Sequence, residues 1–530
     1  MEMITQISGI SCKFAAYLSM DFFEMETEET AKQAPRKSHK KGWVVVILIL
    51  LTAAVGAGIF FYVNHLRKST ADPMEMVPAD AVMMVQVNDY DAFVKAEGSL
   101  RNYLSDAVPL GALDGMEYFL QQFTEQPAGS SPLACSAHEV EGRIALLLSL
   151  RISPKDFDNL LKVLEINNNN FHSYKDYHIY GMDTHHRSFS FCYHDGAFTV
   201  SENEDLLCAS LDCLSQRKSI VEEKGFKALR EMMDKNPKQN WLVVNHTAFV
   251  SSQKANVAPE FEEALAALGN LADWSAYQMV VTAGEISLSG YSVMKDGSLF
   301  KQLENQQPDS QTVSAAVVPA AAVDYACFHL SDVGQFNTGN NLSEEAKKTF
   351  SLLQSSEIHC FTLSDSLDYH FFAVKCDTDT AHLLSLLPAG HTLDSVGECG
   401  SYRFGQGSFA PVLHASWRHC TPAVFMRQGD YLIFADSAAN LRMYQKAVKT
   451  GGVLDDNQLF ILLKTDGRWS NQAACRYFFQ NGSGALDRVL NAKLVARHTA
   501  LSKTRCVAFY ALKPYQNLIP NHIYIKFLAQ

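Results

Sequence analysis

The sequence predicts an α+β protein: one N-terminal transmembrane helix, then two similar domains, each an antiparallel sheet with short helices on one face. Three observations predict it. Residues Val44–Val63 form a twenty-residue run without a charge. The segment Val77-Pro78-Ala79-Asp80-Ala81-Val82 recurs as Val318-Pro319-Ala320-Ala321-Ala322-Val323. After each copy, alternating apolar segments and hairpin glycines are interleaved with helical apolar faces.

Composition sets the outer limits. The chain has 530 residues, 47% hydrophobic and 19% charged, which is globular rather than disordered usage. With 45 basic against 57 acidic residues the net charge is −12, which argues against nucleic acid as a partner. Length and mixed composition also exclude a multi-pass transporter.

Residues 1–42 read as a flexible cytoplasmic leader holding six acids and six bases. Cys12 is not read as a lipidation site, because no apolar segment precedes it and Gly9 stands where an aliphatic residue is needed. Met25 is a plausible true start, since the tail from there to Gly42 is uniformly polar.

The helix is placed at 43–65. At about 1.5 Å per residue the charge-free run covers roughly 30 Å, the thickness of a hydrocarbon core. Trp43 and Tyr62 stand near its ends, where amphipathic rings prefer the interface. Lys32, Arg36, Lys37, Lys40 and Lys41 precede it and only Arg67 and Lys68 follow closely, so the N-terminus is expected inside. No small-residue cleavage motif follows closely, which favours an uncleaved signal anchor. The expected location is a bacterial inner membrane, with the C-terminal region periplasmic. Because leader and span carry no net charge, the whole −12 falls on the exported part. Ala53/Ala57 and Ala54/Gly58 are small-residue pairs that suit a homodimer.

The exported part divides into a first repeat at 66–305, a linker at 306–317 and a second repeat at 318–530. Each signature leads into an apolar strand, Met83–Val87 or Tyr325–Leu330. Strand and helix follow: Gly142–Leu150 with the capping box Ser153-Pro154-Lys155-Asp156, and Tyr369–Lys375 with Asp377 and Thr378 as caps. The expected helical faces are Phe157, Leu160, Leu161 and Leu164 in one, and Leu383, Leu384 and Leu387 in the other.

A meander opens at Tyr180-Gly181 and at Phe404-Gly405, with hairpin Gly196 set against Gly429. Helices follow through Leu206, Leu207, Leu211 and Leu214, and through Leu441, Tyr444 and Val448. Next come strands at Trp241–Val244 and Leu459–Leu463. Each repeat ends in a helix (Phe261, Leu265, Leu268; Leu486, Val489, Leu490) and a strand pair. These pairs are Tyr277–Thr282 with Glu285–Met294, and Val507–Leu512 with Ile523–Phe527.

Twelve cysteines contain no C-x-x-C. Cys135, Cys192, Cys327, Cys360, Cys376 and Cys506 lie in apolar runs, where cysteine serves as a small hydrophobe. An exported domain permits disulfides, and the sequence leaves their pairing open. His185-His186, His359-Cys360 and His419-Cys420 tempt a metal reading, but neighbours on a strand point to opposite faces.

Ser201-Glu202-Asn203 and Lys449-Thr450-Gly451 match two motifs of penicillin-recognising enzymes. The exported S-x-x-K strings at Ser215–Lys218 and Ser298–Lys301 come after Ser201, which is the wrong order, and Ser38–Lys41 falls in the leader. Phe171, Tyr174, Tyr177 and Tyr180 form an aromatic cluster beside the Asn167–Asn170 loop that suits either a sugar ligand or a core. No catalytic, cofactor-binding or metal residue is assigned.

The basic Lys40-Lys41 leader, the single span 44–63 and the signature Val77–Val82, repeated at Val318, resemble uncharacterised membrane-anchored envelope proteins of Bacteroidetes-type bacteria. The resemblance implies no activity and supplies no catalytic residue. The function expected is a tandem-repeat ectodomain that binds a protein partner or scaffolds an assembly. The alternatives are an envelope enzyme and a transmembrane signalling regulator.

Overall fold

The computed structural model describes residues 72–89, 92, 93, 95, 133–168, 170–183, 187–257, 259, 262–282, 284–304, 306, 314–331, 357–363, 369–375, 399–401, 424–465, 472–479 and 504–527. The leader, the span, Phe261, Asp377 and Thr378 with their helix, Phe404-Gly405 and the helix at Leu486–Leu490 lie outside them. Lys68–Gln530 form one compact unit. Among the described residues no helix is long and apolar enough to cross a membrane.

Among the described residues the unit is built on one antiparallel sheet of nineteen strands. In chain order, β1 (Met83–Val87), β2 (Leu133–Val140) and β3 (Arg143–Arg151) lead to helix α1 (Pro154–Val163). The meander β4 (His172–Tyr174), β5 (Tyr177–Asp183), β6 (Ser188–His194) and β7 (Ala197–Ser201) follows. Helices α2 (Glu204–Gln216) and α3 (Lys224–Met233) precede β8 (Trp241–Asn245). Helices α4 (His246–Gln253) and α5 (Glu262–Gly269) precede the long hairpin β9 (Ala272–Thr282) and β10 (Glu285–Met294), and α6 (Leu299–Gln302) closes this side.

The remainder comprises β11 (Ala322–His329), β12 (Glu357–Leu363), β13 (His370–Lys375), β14 (Cys399–Ser401), β15 (Val424–Gln428) and β16 (Tyr431–Ala435). Helices α7 (Ala438–Gly451) and α8 (Gln458–Thr465) then lead to β17 (Gln472–Phe479), β18 (Thr504–Leu512) and β19 (Leu518–Phe527).

Pairing gives the order β4-β5-β6-β7-β3-β2-β1-β8-β9-β10 on one side. The other side runs β19-β18-β17-β11-β12-β13-β16-β15-β14. The two sides join where β10 pairs with β19, from Glu285↔Lys526 to Val293↔Leu518.

Helices cover both faces of this sheet, not one. Phe157, Leu160 and Leu161 of α1 pack with Leu148, Leu150, Phe198 and Val200. Leu207 and Leu211 of α2 pack on the opposite face, with Ile179, Cys192 and Ala197. The reason is legible in the strands: β12 is buried at every position, as are the four central residues of β13, so both sides need cover. On the second side α7 and α8 pack Leu441, Tyr444, Phe460 and Leu463 on one face. Phe300 and Leu303 at the end of α6 pack on the other.

Two local expectations are corrected. Leu459–Leu463 is part of helix α8, not a strand; Asn457 Oδ1 accepts from the amides of Leu459 and Phe460, at 2.9 and 3.3 Å. Phe460 and Leu463 are buried while Leu462 is exposed, a helical spacing that an unbroken apolar string conceals. The strand in question is β17. The match of Gly196 to Gly429 is also one residue out of register, since His194↔Ala197 and Gln428↔Tyr431 close the two turns. Asp195 and Gly196 take φ of 47° and 90°, while Gly429 takes 59° at the first turn position.

The repeated signature is a docking clip. Pro78 bridges Ser219 after α2, and Pro319 bridges Val453 after α7. The amides of Ile220 and Leu454 donate to the carbonyls of Val77 and Val318, at 2.8 and 2.6 Å. The amides of Ala79 and Ala320 donate to the carbonyls of Lys218 and Gly452, at 3.2 and 3.1 Å. One step earlier, Ser210 Oγ donates to the Met76 carbonyl at 2.6 Å and Tyr444 Oη to the Val317 carbonyl at 2.9 Å.

Candidate functional site

Among the described residues a buried cluster of ionisable side chains lies where β11 meets β12 and β17. In this register Cys327 faces His359 on one neighbour and Cys475 on the other, and His329 faces Glu357. Residues two apart share a face, so Cys327 and His329 on β11 and Glu357 and His359 on β12 converge. Cys327 Sγ lies 3.6 Å from His329 Nε2. Glu357 places Oε1 3.6 Å from His329 Nδ1 and Oε2 3.6 Å from His359 Nε2. Tyr325 Oη sits 3.0 Å from His359 Nδ1, and Tyr431 Oη donates to Glu357 at 2.9 Å.

Burial of Glu357 raises its carboxyl, but contact with His359 and the Tyr431 hydrogen bond lower it to about 2. Burial of His359 lowers its imidazole, but Cys327 and Glu357 push it up to about 10. Burial raises the Cys327 thiol, so the carboxylate is the charge that persists at neutral pH. Glu357 thus faces two imidazoles, with the Cys327 thiol beside them. His359 Nε2 is buried with no hydrogen-bond partner.

Three further polar constellations stand out among the described residues. His138 on β2 sits 2.9 Å from Ser136 Oγ through Nε2 and 3.2 Å from Asp80 Oδ1 through Nδ1. That is a hydroxyl–imidazole–carboxylate order suited to activating a nucleophile. Ser136 and His138 are buried, while the Asp80 side chain is 80% exposed. At the seam, His522 bridges Ser287 and Ser289 at 2.9 and 2.5 Å. On the other face Ser275 links His246 to Ser292 at 2.6 and 2.5 Å.

Among the described residues no group of three or more His, Cys, Asp or Glu side chains is arranged to hold a metal ion. Cys135, Cys192, Cys208, Cys213, Cys327, Cys360, Cys475 and Cys506 form no disulfide. Cys135 and Cys208 are half-buried and the other six are buried.

The aromatic cluster is core. Tyr180 stacks on Phe191 at 5.6 Å beneath α1, while Tyr177 packs on the opposite face against α2. Phe171 stacks on His178 at 3.7 Å and Tyr174 Oη donates to Asp212. Ser201 ends β7 and Lys449 and Thr450 lie in α7.

Sequence reasoning tested His359 against Cys360, which do point apart, and so missed its partners across the strands. The available signal was the period-two spacing of Cys327 with His329 and of Glu357 with His359. Comparison with protein-family models, with curated proteins and with solved structures finds no match to the chain.

Proposed function

We propose that this is a single-pass, membrane-anchored bacterial envelope protein whose region beyond residue 66 is a tandem-repeat scaffold that binds a protein partner. The charge-free run Val44–Val63, with five bases before it and two after, carries the anchoring. The N-terminus is inside, the large region is periplasmic, and the resemblance to Bacteroidetes-type envelope proteins agrees with that layout.

The matching strand order on the two sides of β10–β19 supports the tandem reading, as do the paired signature clips. Pairing also makes Ser289 and His522 equivalent: they oppose Gln278 and Tyr510, which oppose Trp241 and Cys475. These equivalent residues face each other across the seam, as a two-fold relation between copies requires. Gene duplication accounts for both facts.

The test is fractionation of gently broken cells followed by external protease on spheroplasts. The full chain is expected in the membrane fraction, with the large region digested from outside. A soluble full-length chain, or a protected large region, overturns the anchoring. Crosslinking in the native membrane is expected to capture an envelope protein; recovery of this chain alone overturns the partner.

A second reading, an envelope hydrolase, rests on the order Ser136–His138–Asp80. It predicts covalent labelling of Ser136 by a fluorophosphonate, lost in Ser136→Ala.

A further inference from the structure

We propose that Cys327 and Cys475 form a redox-active dithiol, which closes to a cross-strand disulfide by reducing a low-molecular-weight disulfide. The inference stands whether or not residues 44–63 cross a bilayer.

The first support is geometric. The two cysteines are directly opposite on adjacent antiparallel strands. Such pairs hold their Cα atoms about 4.5–5.5 Å apart, within the roughly 4.4–6.8 Å that a disulfide spans. Both thiols are free, so the bond is available to form.

The second support is the surrounding chemistry. A thiol must lose its proton before it attacks, and His329 Nε2 is 3.6 Å from Cys327 Sγ. His329 is held from behind by Glu357, at 3.6 Å from its Nδ1. His359, directly opposite Cys327 on β12, places its Nε2 3.6 Å from Glu357 and adds a second imidazole to the cluster.

The third support is that the fold does not require these residues. Gln86 and Trp241 oppose each other between β1 and β8, at the positions matching Cys327 and Cys475 between β11 and β17. An amide and an indole fill the same place in the other half, so packing alone does not select two thiols.

The steps balance. His329 accepts the Cys327 proton, and the thiolate attacks one sulfur of R–S–S–R. A mixed disulfide forms, and the departing R–S⁻ takes the proton from His329. Cys475, as its thiolate, then attacks Cys327 Sγ. The Cys327–Cys475 bond forms and the second R–S⁻ leaves, taking up the Cys475 proton. The protein dithiol loses two electrons and R–S–S–R gains them. Cys327 and Cys475 are buried, so R–S–S–R reaches them through local opening at the strand ends, where His329 ends β11, Glu357 begins β12 and Tyr431 is half-buried.

The test uses the folded full-length protein with glutathione disulfide, followed by thiol blocking and non-reducing peptide mapping. The expected result is a linked peptide pair containing Cys327 and Cys475, lighter by two hydrogens, with two glutathione thiols released. Cys475→Ser is expected to trap glutathione on Cys327. Cys360→Ser, altered on the opposite face of β12, is expected to leave the link unchanged. His329→Gln is expected to slow closure roughly tenfold or more and to shift its pH profile upward, as loss of a proton acceptor does. Linkage only after denaturation overturns the proposal, as does linkage to other cysteines or persistence of both free thiols.

Discussion

Gln86 and Trp241 in the first half stand where Cys327 and Cys475 stand in the second, and Ala134 stands where His359 does. The backbone pairing is the same and the chemistry is not. On one side an amide reaches sideways: Gln86 Nε2 donates to Asn88 Oδ1 at 3.1 Å, and Trp241 fills the volume behind it. On the other side the same space holds thiols, two imidazoles and a carboxylate. The contrast separates what the fold needs, which is volume at these positions, from what it merely tolerates, which is ionisable groups in a sealed interior.

The largest expected effect tests the volume side of that contrast. Trp241 is fully buried between α3 and the sheet, and its Nε1 has no hydrogen-bond partner. Trp241→Ala is expected to cost about 3–5 kcal/mol, from lost apolar burial and the cavity left behind. Trp241→Phe is expected to cost under about 1.5 kcal/mol, because no hydrogen bond is forfeited. Cys475→Ala at the matching position is expected to cost about 1 kcal/mol. Urea unfolding of the three variants checks this; equal costs for Trp241→Ala and Cys475→Ala would break the assignment of indole as filler.

The seam invites a second test, since its ends are chemically unequal. At one end Lys526 Nζ meets Glu285 at 2.9 Å, with both side chains about a third exposed. At the other, Val293 faces Leu518, both buried in the cluster under α3. Leu518→Ala is expected to cost about 2–4 kcal/mol and Lys526→Met less than about 1 kcal/mol. Hydrogen exchange along β10 and β19 reads both. Greater loss of protection from the lysine variant would mean that charge, not burial, fastens the two halves.

How much of this was legible beforehand depends on the range of the interaction. The capping box at Ser153–Asp156 is local, and it forms as read: Ser153 Oγ accepts from the Asp156 amide at 3.2 Å. The hairpin at Asp195-Gly196 is local too. Helix α8 was misread because Leu459–Leu463 is apolar at every position, which leaves period two and period 3.6 equally served. Faces were misjudged because helix cover depends on which strand positions end up buried on both sides. The polar cluster was invisible for a different reason: His329 and Glu357 are far apart in sequence, and only the β11–β12 register brings them together.

A smaller effect is expected from pH, and it should distinguish the halves. Glu357 has its carboxyl lowered from 4.5 to about 2, so its contribution is present above 4.5 and is lost as pH falls towards 2. His359 is raised from 6.5 to about 10, so its contribution is present below 6.5 and is lost as pH rises through 10. Gln86 and Ala134, which stand where Cys327 and His359 do, do not titrate. Exchange protection of β11 and β12 is therefore expected to fall at both extremes while that of β1 and β2 changes less. Parallel loss in the two halves would show that global charge, not this pair, sets the response. In Glu357→Gln, the high-pH loss in β11 and β12 is expected to begin at lower pH.

Removing a single hydroxyl from either clip is a finer test. Ser210 and Tyr444 differ in size and polarity, yet each donates its hydroxyl to the carbonyl just before a signature valine. Ser210 reaches the Met76 carbonyl from α2; Tyr444 reaches that of Val317 from the matching place on α7. If the hydroxyl is what both sites need, Ser210→Ala and Tyr444→Phe should cost about 1 kcal/mol each, the usual net loss of one buried hydrogen bond. If the Tyr444 ring also matters, Tyr444→Ser retains the hydroxyl but not its reach, and should cost about 3–5 kcal/mol through the cavity it opens among Phe361, Phe371 and Leu441. Thermal unfolding of the three variants decides between them. Unequal costs for the two hydroxyl deletions would show that one clip, not both, holds its helix to the sheet.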